Sequence, residues 1–166
     1  MAILLVFCAT LAHALPDAVR NGDAGWQQWG SGEMSWFGFS LYRATLWVAG
    51  SSPERSPSAL QLDYQRDLPR ERLVQASLEE MRRLGPDEAQ LQRCAPELRR
   101  VFPEVKAGDT IIGVHYPGRA AHFFYQGQPS GEVADAEFAR RFFAIWLDPA
   151  SRSPALRAAL LKRPAD

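Results

Sequence analysis

Between Gly108 and Leu147 the spacing of apolar and polar positions changes from a strand period to a helix period, and the rest of the chain arranges around this stretch. Thr110–Tyr116 (TIIGVHY) is dense in β-branched and aromatic residues and ends on Pro117-Gly118, which is turn chemistry. Ala121–Gln126 (AHFFYQ) reads as the returning strand, Gly127-Gln128-Pro129 as a second turn, and Ser130–Val133 as a short third strand. Asp135 then stands as a cap before Phe138, Phe142, Ile145 and Trp146, whose spacing puts them on one helical face. The pattern predicts a meander feeding an aromatic-faced helix.

Upstream, Pro16–Glu33 has many Gly and Trp but little periodicity, which predicts loop and one short strand. Trp36–Ala49 (WFGFSLYRATLWVA) reads as one long strand. It has Phe37, Phe39 and Leu41 on one face and Tyr42, Leu46 and Val48 on the other, so both faces should be covered. Gly50–Ser58 is a hairpin-type loop. Leu60–Arg66 alternates, with Leu60, Leu62 and Tyr64 inward and Gln61, Asp63 and Gln65 on a wet face. Asp67 and Pro69 open a helix with Leu73, Val74, Leu78 and Met81 as its apolar stripe, and Gly85-Pro86 stops it. Asp87–Arg93 and Glu97–Val101 are expected as two short helices divided at Pro96. Ser153-Pro154 starts a last helix carrying Leu156 and Leu160.

Length and charge narrow the class. A chain of 166 residues suits one domain with a sizeable core. Nineteen basic residues balance nineteen acidic ones, which argues against a nucleic-acid binder, and a hydrophobic content of 46% argues against a disordered chain. The N-terminus stands apart: Ala2–Leu15 carries no charge, and an apolar run from Ile3 to Phe7 leads to Ala12-His13-Ala14, a small-x-small cleavage pattern. It is shorter than the roughly 20 apolar residues a membrane span needs. Residues 1–14 are therefore expected to be an export signal peptide and 15–166 a single mature domain, periplasmic or secreted. That domain keeps one cysteine, Cys94, and so no internal disulfide.

Catalytic constellations are thin. In a simple hairpin His115 pairs with His122, placing both imidazoles on one face, but a catalytic zinc site takes three protein ligands and no third is evident. Cys94 beside Pro96 reads as a small buried residue, no G-x-S-x-G elbow is present, and Asp109 suits a turn. No metal and no cofactor is implied. Aromatic residues including Trp36 and Phe123 are mostly core, and an excess beyond what packing needs would line an apolar ligand cleft, two uses that the sequence does not separate. Tyr42 and Arg43 are the best polar candidates there. Being adjacent on a strand, at most one of them points in.

Four segments, DLPRERLVQASLEEM (Asp67–Met81), FPEVKAGDTIIGVHYPG (Phe102–Gly118), GEVADAEFARRFFAIWLDP (Gly131–Pro149) and the closing SPALRAALL, resemble the chalcone isomerase-like family in its bacterial exported branch. The likeness spans about Trp36 to Leu161 in matching order. It implies an α+β fold: an open-faced antiparallel sheet with helices layered on one side and a ligand cleft between them. Relatives either cyclise chalcones without a cofactor or bind fatty acids. The cyclising members are implied to need an Arg before the long central strand, a Thr on the following strand, and a Tyr and an Asn at the first turns of the helix. The matching positions here hold Gly30, Tyr42, Pro69 and Ala76, so the cation that would stabilise the anionic oxygen is absent. The resemblance therefore implies a binding protein for a small apolar or fatty-acid-like ligand. The rivals are an intramolecular lyase with a rearranged residue set and an accessory protein that meets a partner through its sheet face.

Overall fold

The computed structural model describes residues 15–20, 25–85 and 88–163, and of Trp36 only the backbone; the expected export segment 1–14 lies outside the described residues. Six strands form one sheet in the order β1-β2-β3-β4-β5-β6, every neighbour antiparallel. They are β1 Trp26–Trp36, β2 Phe39–Ala49, β3 Ser58–Tyr64, β4 Thr110–His115, β5 Ala121–Tyr125 and β6 Gln128–Val133. Helix α1 (Asp17–Arg20) precedes them, α2 (Arg70–Arg83) and α3 (Glu88–Val101) bridge β3 to β4, and α4 (Ala136–Leu147) and α5 (Pro154–Leu161) close the described chain.

The expected long strand from Trp36 to Ala49 is instead the second arm of a hairpin. Gly-rich Trp26–Trp36 is itself an eleven-residue strand, and Phe37-Gly38 turns the chain with both residues at positive φ, 48° and 78°. Two positive φ values suit the right-handed twist of a two-residue hairpin, but an aromatic residue at the first of them gives no sequence signal. A second tight turn falls at Gln126-Gly127 (φ 50° and 76°), one residue earlier than expected, so Pro129 lies in β6. An edge strand tolerates it because no further ladder needs its missing N–H. Nor does Pro96 divide a helix: α3 runs through it, with Leu91, Cys94, Leu98 and Val101 buried along one face.

The stripes foreseen for α2 and α4 are buried as the periodicity requires. Leu73, Val74, Leu78 and Met81 of α2 meet Phe138, Phe142, Ile145 and Trp146 of α4 in one core with Leu46, Val48, Leu60, Leu62 and Tyr64 of the sheet. Asp135 caps α4, its carboxylate accepting the Glu137 and Phe138 backbone N–H groups at 2.9 and 3.1 Å. The opposite sheet face is not wet. Leu15 and Val19 cover Trp47, Ala59, Ile112, Val114 and Phe124, and Gln61 is 4% exposed beneath them, accepting from the Trp47 indole at 3.2 Å and donating to Asp63. A buried amide satisfied on both sides needs no water.

Candidate functional site

A cavity of about 360 Å³ lies between the inner face of β2, β3 and β4 and the helices α2 and α4. This volume falls in the roughly 300–1,000 Å³ range of small-molecule sites. Its walls are apolar: Leu60, Leu62, Ile111 and Phe123 from the sheet, Phe142, Ile145 and Trp146 from α4, Leu73 from α2. Along this wall large rings meet edge to face. Phe142 stands at 76° to Phe123 and 68° to Trp146, with centroids 5.3 Å apart in both pairs. Gly113 on β4 keeps the floor low, since a Cβ there would press on the Phe143 ring at 3.2 Å.

Two phenols are the main polar groups inside. Tyr42 and Tyr64 are register partners across β2 and β3, on the same face, with rings 5.7 Å apart. The Trp146 indole N–H donates to the Tyr42 hydroxyl at 3.0 Å, which orients that phenol and leaves its own proton to donate onward. Burial pushes Tyr42 up to about 12 despite that hydrogen bond, with Glu80 adding to the rise. Burial also pushes Tyr64 well up, with Tyr42 beside it adding to the effect. Both are neutral hydrogen-bond donors at any physiological pH, not bases.

The mouth opens between the first turns of α2 and the α4–α5 connection, where Arg72, Gln75, Ala76, Glu79 and Arg152 line it. Arg152 reaches across to α2, 2.8 Å from Glu80 and 3.7 Å from Glu79, so its charge is already matched. Met34 and Leu41 line the end toward the β1–β2 turn, and Leu68 the approach to α2.

Of the residues singled out from the sequence, Tyr42 and Phe123 stand on the cavity wall. Arg43 does not: its guanidinium faces the other side of the sheet, half exposed and 3.6 Å from Glu33, because its strand neighbour Tyr42 takes the inward position. A cavity role for Arg43 is excluded on that geometry. Trp36 ends β1, and its side chain lies outside the described residues. Tyr64, Trp146 and Arg72 were legible only as a strand position, a core ring and a surface charge. The Tyr42–Tyr64 pairing depends on the β2–β3 register, which no local pattern contains.

The other constellations come apart in space. His115 pairs with Ala121, and His122 with Val114, so the two imidazoles project to opposite faces. The connection, 116–120, is one residue longer than the four-residue turn of a simple hairpin, which shifts the register by one. His115 stacks on Phe143 at 5.0 Å, and burial holds its pKa low; His122 lies against Tyr116 on the outer face. Among the described residues no His, Cys, Asp or Glu cluster could hold a metal ion. Burial pushes the Cys94 thiol up, which makes it a poor nucleophile. Asp109 locks the turn before β4, accepting from the Tyr125 hydroxyl at 2.7 Å and the Lys106 N–H at 2.7 Å.

The position matching the cyclising arginine is the most informative. Gly30 sits at a bulge in β1 directly under α5, and a Cβ there would run into the carbonyl groups of Ala159 and Leu160. Backbone cannot move aside as a flexible side chain can, so no larger residue fits. Gly30 is also absent from the cavity wall, as is Pro69, while Ala76 lines the mouth with no polar side chain.

Among curated proteins no sequence matches. Among solved structures, a fatty-acid binding protein of Arabidopsis thaliana is similar at a TM-score of 0.63, with 12% identity over 83% of this chain and 87% of that one. At such low identity the likeness speaks for the fold. A family model described as chalcone isomerase-like matches residues 10–162, nearly the whole length. The six-stranded open sheet with its layered helices, and the sequence match over most of the chain, place this protein in the chalcone isomerase-like family.

Proposed function

We propose that the protein binds a small apolar, fatty-acid-like molecule in the cavity between sheet and helices, without isomerising it, and does so as an exported protein. The observation that carries this reading is an apolar cavity whose inner polar groups are two neutral phenols, with the lining arginines Arg72 and Arg152 standing at its mouth. Cyclising a chalcone requires a phenolate held and delivered to a carbon centre, which needs a fixed positive charge beside it. The matching position is Gly30, closed by α5. Binding needs less. Each methylene moved from water into the cavity contributes about 0.8 kcal/mol. Tyr64, whose hydroxyl makes no hydrogen bond to a described residue, and Tyr42 supply donors for a carboxyl or carbonyl oxygen. The fatty-acid binding named for the Arabidopsis protein of similar fold supports the same ligand class.

The lyase alternative would have to draw on Arg72 or Arg152 at the mouth, and Arg152 is held by two carboxylates. An accessory role through the sheet face is disfavoured because Leu15 and Val19 occupy that face. Purified protein is titrated with saturated fatty acids of increasing length, and separately incubated with a chalcone. Affinity should rise with chain length until the cavity is full, and no enzyme-dependent flavanone should form. Length-independent affinity would refute the binding reading, and flavanone formation the non-catalytic one.

A further inference from the structure

We propose that the β1–β2 hairpin tip docks on an anionic phospholipid bilayer and brings the adjoining end of the cavity to the lipid interface, where the ligand is taken up or released. The use of this surface for exchange rests on the ligand-binding reading above; the docking itself is read from the tip. Phe37 is 86% exposed and Phe39 57%, and they are the exposed large hydrophobic residues among those described. Phe37 also holds φ at 48°, a conformation that Asn or Gly adopts at far lower cost. An aromatic side chain is thus kept mostly in water, in a backbone state unfavourable to it, so folding buries little of its apolar surface. Contact with an apolar medium outside the protein explains it.

The tip is continuous with the cavity wall. Met34 and Leu41, two positions behind Trp36 and Phe39 on the two arms, both line the cavity. The Gln65 N–H donates to the Leu41 carbonyl, which ties the segment entering α2 to the hairpin, and Leu68 and Arg72 of that region line the cavity too. The Arg66 guanidinium lies over the Phe39 ring, 4.6 Å from its centroid.

Among the described residues, the charge left without an ion-pair partner around this surface is positive. Among the described residues Arg66, Arg70 and Arg72 have no carboxylate partner, whereas the acids between them are engaged, Asp67 with Lys106 and Glu71 with Arg99. Glu33 on the hairpin pairs with Arg43, and Glu79 and Glu80 at the mouth pair with Arg152. Aromatic rings seated at headgroup depth with arginines toward the phosphates is the arrangement an anionic bilayer accepts. A protein partner fits worse. Two rings offer about 150–250 Å² each, against the roughly 800 Å² per partner of a stable protein interface.

The full chain is cosedimented with vesicles of phosphatidylglycerol and phosphatidylethanolamine, and with phosphatidylcholine vesicles. The comparisons are Phe37→Ser/Phe39→Ser and Arg66→Gln, each checked for its melting temperature and for fatty-acid affinity in vesicle-free solution. The expected result is salt-sensitive binding to the anionic vesicles. The double substitution should weaken it about tenfold or more, and Arg66→Gln less, with melting temperature and solution affinity kept. Unchanged binding by the double variant, as when residues 1–14 hold the membrane instead, would overturn the proposal. So would no binding by the parent chain, or a dimer that the double variant dissociates while vesicle binding persists. Tip-dependent vesicle binding by a protein that takes up no fatty acid in solution would uphold the docking and remove the ligand reading instead.

Discussion

Replacing Phe142 with alanine tests the core and the cavity together. The ring is 4% exposed and lies 5.3–5.9 Å from Phe102, Phe123, Phe138, Phe143 and Trp146, so it is the hub of the aromatic cluster that joins α4 to the sheet. Truncating a buried phenylalanine costs about 3–5 kcal/mol, the transfer of the lost atoms plus the void they leave. Collapse offers little relief here, because the neighbours are rigid rings and one side already faces a cavity. Against a total stability of about 5–15 kcal/mol this is a large loss. For a domain of this size each kcal/mol moves the midpoint by about 2–4 °C, so thermal unfolding followed by circular dichroism should fall by about 6–20 °C. The same substitution enlarges the cavity, and the fatty-acid length of tightest binding should move to longer chains. A shift of less than 3 °C, on the order of one kcal/mol, would mean that α4 does not pack its aromatic face as described.

Other outcomes follow from single groups. Gly30→Ala should destabilise by about 1–3 kcal/mol in urea unfolding through its clash with α5. Gly30→Arg should be worse and still form no flavanone; a stable, active Gly30→Arg would contradict the reading. Because burial raises both cavity phenols, the unfolded chain releases their protons first, near pH 10. Stability should therefore fall as pH rises from about 10 toward about 12, and Tyr64→Phe should flatten that decline in thermal melts. His115 has the mirrored behaviour: its lowered pKa means stability is lost as pH falls below about 6.5, and His115→Phe should reduce that loss. For export, N-terminal sequencing of protein from an expressing bacterium should begin at or near Leu15; a cytoplasmic form that still starts at Met1 would contradict it.

Local pattern alone determined a good part of this protein. The stripe of α2, the face of α4, the Asp135 cap and the inward set Leu60, Leu62, Tyr64 are each settled by residues within a few positions of one another, where period and capping act. Resemblance of four ordered segments carried the fold beyond that. What failed locally were features set by distant partners. Trp26–Trp36 is a strand because β2 pairs with it and α5 covers its glycines, not because its own residues favour extension. Pro96 stays helical because packing of Leu91, Cys94, Leu98 and Val101 outweighs one lost hydrogen bond. Gln61 is dry because Leu15, some forty residues away, lies on its face of the sheet. The site shows the same division. Tyr42 and Phe123 could be named from the chain, but the β2–β3 register set Tyr64 beside Tyr42, and the alternation of that strand turned Arg43 away. The bareness of Gly30 was legible as a missing arginine; only the carbonyl groups of α5 show why no arginine can stand there.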